Sequence, residues 1–230
     1  VDQDSMYRAT SALLELFAEP HLRCVVLSGP TENAFIGGAD LDALHALNAS
    51  TAEAFIRSIH ALCQALRAAP VPVLAVLRGY CLGAGMEIAA ACDVRIGDRS
   101  VLCGMPEVRV GVPSVIDAAL LPGLIGWGKA RELMLRGNII DADEAHACGF
   151  LQQLVDAHEL DALTASVCSD MLAAGARALA LQKRLFQDWQ EQPMSAAIES
   201  GVQAFVEAYA SDEPQTAIDN FYRMRDKSRQ

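Results

Sequence analysis

Residues 72–107, PVLAVLRGYCLGAGMEIAAACDVRIGDRSVLCGMPE, decide how the chain is read. A proline cannot continue a preceding helix and favours extended backbone before it, so Pro70 and Pro72 launch a strand over residues 73–78. This apolar run stops at a glycine-containing turn, residues 79–85, and then becomes a helix. Short strands follow and lead to a second acid, Glu107. Met86, Ile88, Ala89 and Ala90 surround Glu87 with apolar neighbours, which predicts a helix buried most of the way round. Glu87 in its first turn complements the helix dipole by about 0.3–1 kcal/mol. Burying a carboxylate there is costly unless it is paired or put to use.

Working outward, residues 22–28 (LRCVVLS) form a second strand-like run, stopped by Gly29-Pro30 and followed by TENAFIGGADL. A glycine turn therefore precedes a helix twice, at residues 35–40 and at residues 79–85. Glycine lets the backbone bend with no side chain in the way, so the N–H groups of Ala39 and Ala84 can face a ligand at a helix start. Two such groups converging on one oxygen make an oxyanion hole. Tight packing is the competing reading of either turn alone, and an ordinary exposed glutamate is the competing reading of Glu107.

The flanks complete an α/β pattern. Residues 5–17 carry Ala9, Leu13, Leu16 and Phe17 on one side of a helix that Glu19-Pro20 ends. Helices are expected over residues 41–47 and 51–69, the latter capped by Ser50 or Thr51. After Glu107, residues 108–111 read as strand end and loop and residues 113–125 as a helix. Two short helices follow at 129–135 and 141–147, then a last strand at 150–155. Everything from His158 onward reads as helix. The expected organisation is an α/β core over residues 1–155, carrying the active site, and a helical segment over residues 156–230.

Composition narrows the classes. The chain has 230 residues, enough to bury a sizeable core, and 52% of them are hydrophobic. No uninterrupted apolar run is long enough to cross a bilayer, so the apolar excess points to an oligomer interface rather than a membrane. No basic-then-apolar leader opens the sequence, which places the protein in the cytoplasm as an expectation. A net charge of −11 with no basic cluster speaks against nucleic acid as a partner. Seven scattered cysteines without a C-x-x-C pair read as reduced core residues, and five histidines show no metal-ligand spacing. No metal site is expected.

Strand, Gly83-x-Gly85, helix and a later acid also fit part of a dinucleotide-binding fingerprint. Its third glycine is replaced by Ile88, and the turn at residues 35–40 would be left without a role. AFIGGADL taken together with RGYCLGAGMEIAAACDVRIG and GMPEVRVGVP resembles the enoyl-CoA hydratase/isomerase (crotonase) family, closest to the enoyl-CoA hydratases. Order and spacing match throughout, and SDEPQTAIDNFYRMRDK resembles the family's closing helix, so the resemblance covers nearly the whole chain. It implies a spiral of ββα units with a helical C-terminal segment that supports trimers stacked as hexamers. It also implies an acyl-CoA thioester as substrate, with no separate cofactor because CoA belongs to the substrate.

By the same resemblance Ala39 and Ala84 donate the oxyanion-hole N–H groups, Glu87 and Glu107 are the catalytic acids, and Gly38, Asp40, Gly83 and Ser114 contact substrate. Members that are only isomerases usually lack the first acid, so the presence of both favours hydration. An isomerase and a catalytically inactive assembly subunit are the alternatives. Ser114 stands where the hydratases carry a glycine whose N–H helps place the water. The family's usual opening strand pair and N-A-L-type segment, which helps hold CoA, precede the point at which this sequence starts. Asp117 is expected at the surface or pocket rim. Arg78, Arg225 and Lys227 are basic candidates for CoA contact.

Overall fold

The computed structural model describes residues 1–31 and 33–227, the side chains of Asp226 and Lys227 excepted. Helix α1 (Gln3–Phe17) leads into β1 (Val25–Ser28), β2 (Ala34–Ile36), α2 (Leu41–His45) and α3 (Ala52–Arg67). The second unit is β3 (Val73–Leu77), β4 (Tyr80–Leu82) and α4 (Ala84–Ala91). The third has β5 (Val94–Asp98), β6 (Leu102–Gly104), 3₁₀ turns at Glu107–Val110 and Ile116–Leu120, and α5 (Leu121–Arg136). Next come β7 (Ile139–Asp141), α6 (Ala142–Ala147) and β8 (Gln153–Val155). A 3₁₀ turn at Ala157–Glu159 opens the helical end: α7 (Leu160–Ala173), α8 (Ala176–Glu191), α9 (Met194–Ala208) and α10 (Glu213–Lys227).

The two strands of each pair go to different sheets. One sheet runs β1-β3-β5-β8, all parallel; the other runs β2-β4-β6-β7, with β7 antiparallel. A glycine stands in the short connection of the first two pairs because the backbones cross closely there. A Cβ on Gly29 would lie 2.1 Å from the Ala34 carbonyl oxygen, and one on Gly79 1.9 Å from that of Asn33. Helical segments then carry the chain to the next pair, giving the spiral of ββα units that the family resemblance implies.

Strand β3 is buried along its whole length because helices cover both faces of its sheet. Val73, Ala75 and Leu77 point into the main core, while Leu74 and Val76 join Ile96, Leu160 and Val167 beneath α7. All eight residues of α4 are buried. Helix α8 is fastened to the core at Lys183, whose Nζ lies 2.6 Å from Asp93 Oδ2 and donates to the Leu66 carbonyl. Asp93 Oδ2 also accepts the Val73 N–H at 2.7 Å. One ion pair, its lysine buried and its aspartate half-buried, thus links the helical end to the start of β3.

Several local expectations give way to tertiary packing. Residues 107–110 form a 3₁₀ turn rather than a strand end, and the helix expected over residues 113–125 starts only at Leu121, with Pro122 in its first turn. Ile116, at φ +42°, interrupts helical backbone ahead of it. Residues 129–135 continue α5 past a kink at Gly126 instead of standing alone. The turn at residues 79–85 contains β4, and β7 pairs with β6 although its three residues carry too little pattern to be read alone. Thr51 holds the N-cap position of α3, but its hydroxyl engages Asn48 rather than the helix.

Gly85 tests the contact between units. Its Cβ would meet the Ile36 carbonyl oxygen at 2.1 Å, so Gly85→Ala should destabilise the protein by about 1–3 kcal/mol. Urea unfolding measures this, and an unchanged midpoint would contradict the close crossing of α4 over β2.

Candidate active site

Both glycine turns arrive at one place. Gly38 (φ +107°) and Gly83 (φ +53°) adopt backbone that side chains avoid, and a Cβ on Gly83 would lie 4.0 Å from Gly38 Cα and 2.6 Å from Glu107 Oε1. A Cβ on Gly38 would lie 3.2 Å from the Leu82 carbonyl oxygen. The two turns therefore meet with only backbone between them, and the Glu107 carboxylate closes over the second. Ala39 and Ala84 follow the two glycines directly. Ala84 begins α4, so its N–H has no acceptor within the helix.

A cavity of about 620 Å³ opens at this junction, and Gly38, Ala39, Gly83, Ala84, Glu87 and Glu107 all line it. Its other walls are chiefly apolar, with Leu44 and Leu47 near α2, Phe55, Ile56 and Ile59 from α3, and Val112 from the loop after the first 3₁₀ turn. Apolar residues recurring at helical spacing on α3, Phe55, Ile59, Leu62 and Leu66 among them, face the cavity and core. Arg57 and Glu53, one turn apart on that helix, pair at 2.7 Å.

The two carboxyl groups have different surroundings. Glu87 is 4% exposed, and Ala118 N–H donates to its Oε1 at 3.3 Å. Burial first and the neighbouring Glu107 second push the Glu87 carboxyl up to about 8, with a smaller push from Asp117, while the Ala118 N–H acts in the opposite direction. Glu107 is only partly buried, and the Ser114 hydroxyl donates to its Oε2 at 2.8 Å. Arg109 lines the cavity too, but its Nε donates to the Gly137 carbonyl at 2.7 Å. The protonated form of Glu87 is thus favoured beside a second carboxyl group.

Asp117 departs from expectation. It is 3% exposed, and its Oδ2 lies 2.7 Å from His60 Nδ1. The 3₁₀ turn that replaces the expected helix directs it inward onto α3, which a continuous helix over residues 113–125 would not do. Cys63 packs beside it; burial foremost, then Asp117 and Glu87, raise that thiol. His60 stands between the buried Ile59 and Cys63 on α3, and no local pattern in the sequence pairs His60 with Asp117. All seven cysteines are free thiols; Cys63, Cys81, Cys92 and Cys103 are buried as read, whereas Cys24, Cys148 and Cys168 are only half-buried and are not core residues.

Two of the expected substrate contacts lie off the cavity wall. The Asp40 carboxylate caps α2 by accepting the Ala43 N–H at 2.8 Å, and Ser114 reaches the site through Glu107. Arg78 pairs with Asp161 at 2.8 Å and does not line this cavity; Arg225 lies over the Tyr222 ring, 5.0 Å from its centroid. Lys227 falls outside the described side chains. Among the described residues no group of three or more His, Cys, Asp or Glu side chains is arranged to hold a metal ion, and no helix is long and apolar enough to cross a membrane.

Comparison with known proteins finds relatives of the same fold across nearly the whole chain. A crotonyl-CoA hydratase from Syntrophomonas wolfei is 26% identical over 226 residues, spanning 98% of this chain and 87% of the relative. The crystal structure of an enoyl-CoA hydratase from Bacillus anthracis superposes with a TM-score of 0.90 at 26% identity, covering 95% of this chain and 85% of that one. Pseudomonas aeruginosa DspI superposes with a TM-score of 0.92 at 25% identity, covering 97% and 86%. The enoyl-CoA hydratase/isomerase family matches residues 2–228, and the chain belongs to that family.

Proposed function

We propose that the protein hydrates a 2-enoyl-CoA thioester to a 3-hydroxyacyl-CoA. The observation that carries this reading is the pair of carboxyl groups at one cavity, Glu87 raised to about 8 and Glu107 bound by the Ser114 hydroxyl. A hydratase needs one group that takes a proton from water and one that gives a proton to carbon. The hydratase names of relatives across nearly the whole chain support it.

The thioester oxygen sits between the N–H groups of Ala39 and Ala84, which hold negative charge as an enolate forms. Loss of one such donor costs about 3 kcal/mol in the transition state. Water held by the two carboxyl groups adds its oxygen to C3 and yields its proton to Glu107, and the Glu87 proton goes to C2. The pair is left with one proton, as it began, so exchange between the two acids restores the resting state. Gly38 and Gly83 let the ligand approach the backbone. The apolar walls keep bulk water from the developing charge.

Hydration in ¹⁸O-labelled water places the label at C3 of the product, whereas isomerisation places none. Glu87→Gln and Glu107→Gln should each lower kcat by roughly 10²–10⁴-fold, followed by loss of the conjugated enoyl absorbance. If the wild type turns over crotonyl-CoA and both variants stay within tenfold of it, the acids are wrongly assigned. Unlabelled, isomerised product would move the protein to the isomerase class. Absence of turnover across a panel of acyl-CoA thioesters favours the inactive assembly subunit.

Activity should fall as pH rises past about 8, where Glu87 loses its proton. Stability follows the same group. Its folded-state value lies above the ordinary 4.5, so the folded protein binds more protons than the unfolded chain between about 4.5 and 8. Its contribution to stability therefore falls as pH rises through that window. Urea unfolding as a function of pH should show this slope, and Glu87→Gln should flatten it.

The helical end supports self-association as trimers or stacked trimers. Met194, Ile198, Phe205, Val206, Phe221 and Met224 are each more than half exposed on α9 and α10 in the single chain. Light scattering coupled to gel filtration should return a mass three or six times that of the chain; a monomer at micromolar concentration would contradict it.

A further inference from the structure

One segment reaches both acids of the site. Ser114 donates its hydroxyl to Glu107, and Ala118 donates its N–H to Glu87. Between those contacts lies Ile116, a β-branched residue at φ +42°, where such side chains are rarely found. A strained turn of this kind persists only where surrounding structure holds it.

The hold is at the next residue. Asp117 is 3% exposed and meets His60 of α3 at 2.7 Å. Neither residue lines the cavity. A carboxylate buried away from substrate is costly, and an apolar side chain would fill the same space without that cost. Its placement beside the turn that carries both hydrogen-bond donors gives the pair a role beyond packing.

We infer that the His60–Asp117 pair is a clamp that holds the turn in the position from which Ser114 and Ala118 orient Glu107 and Glu87, making His60 and Asp117 positioning residues for the acid–base pair. The inference rests on the proposed hydration at the same site. The charges involved form a short series. Glu87 is faced by Glu107, by Asp117 and, from α3, by the Cys63 thiol; Asp117 is faced by His60, Cys63 and Glu87. Arg109 is turned to the Gly137 carbonyl. The His60 side chain, 33% exposed, is the end of the series nearest solvent. Asp117 thus does two things: it fixes the turn, and it adds negative charge that favours a protonated Glu87.

Three variants separate these roles. In His60→Asn the amide nitrogen replaces Nδ1 as donor, while His60→Leu removes the donor altogether. His60→Leu should lower kcat by about 10- to 100-fold with KM within about threefold, and His60→Asn should stay within about threefold of wild type in both. Asp117→Asn keeps the size and an acceptor for His60 but removes the charge. In substrate-free protein labelled with ¹³C-glutamate, the Glu87 carboxyl should titrate near 8 in wild type and at lower pH in Asp117→Asn. The inference is overturned if His60→Leu retains wild-type kcat, if His60→Asn is as slow as His60→Leu, or if Asp117→Asn leaves the Glu87 midpoint unmoved. A lowered melting temperature with kcat and titration unchanged reduces the pair to a structural one and also overturns it. Failure of the wild type to hydrate any enoyl-CoA would sink the hydration reading instead, and the Glu87 titration would then decide the clamp by itself.

Discussion

The approach of Gly38 to Gly83 is the constraint on which the rest depends. A Cβ on Gly83 would stand 4.0 Å from Gly38 Cα and 2.6 Å from the Glu107 carboxylate, so both turns must stay bare for the three to meet. Two consecutive ββα units are thereby brought edge to edge, each ending in a helix start that points at the same space. Gly85 and Gly79 extend this zone of bare backbone contact, against Ile36 and Asn33 respectively. Without it the two N–H groups would belong to separate sites.

Burial then differentiates the acids. Helix α4 lies wholly inside the protein, which puts Glu87 where charge is disfavoured, and Glu107 beside it adds like-charge repulsion. Glu107 stands on a 3₁₀ turn at the cavity wall with a hydroxyl donor in reach. Unequal surroundings thus favour the protonated form of Glu87, the state that the proposed addition of water calls for. A carboxyl raised in this way makes the folded chain less stable as pH rises above the ordinary carboxylate range.

The fold holds this centre from two directions. The Asp93–Lys183 pair ties α8 to the foot of β3, and β3 in turn carries the chain to the second glycine turn. On the other side, His60 and Asp117 tie α3 to the turn that bears Ala118. Each tie has at least one deeply buried member, and neither lies in the cavity.

Much of this was present in the one-dimensional pattern. Apolar runs of strand length, prolines at their starts and glycines at their ends marked β1 and β3, and the apolar surroundings of Glu87 marked a buried helix with an acid in it. These features are local, so a window of a few residues contains the whole cause. Resemblance to a family then linked the two turns, which no spacing rule connects. Beyond reach were the features made by contacts between distant residues: β7, whose three residues form a strand only because β6 lies beside them, and the inward turn of Asp117. Residues 113–125 have helical composition, yet the chain enters α5 only at Leu121, because Ile116 is held at positive φ while Asp117 reaches His60 more than fifty residues earlier in the chain. Local propensity can predict what a segment would do alone. Which of its side chains faces inward was decided by the partner waiting on another helix.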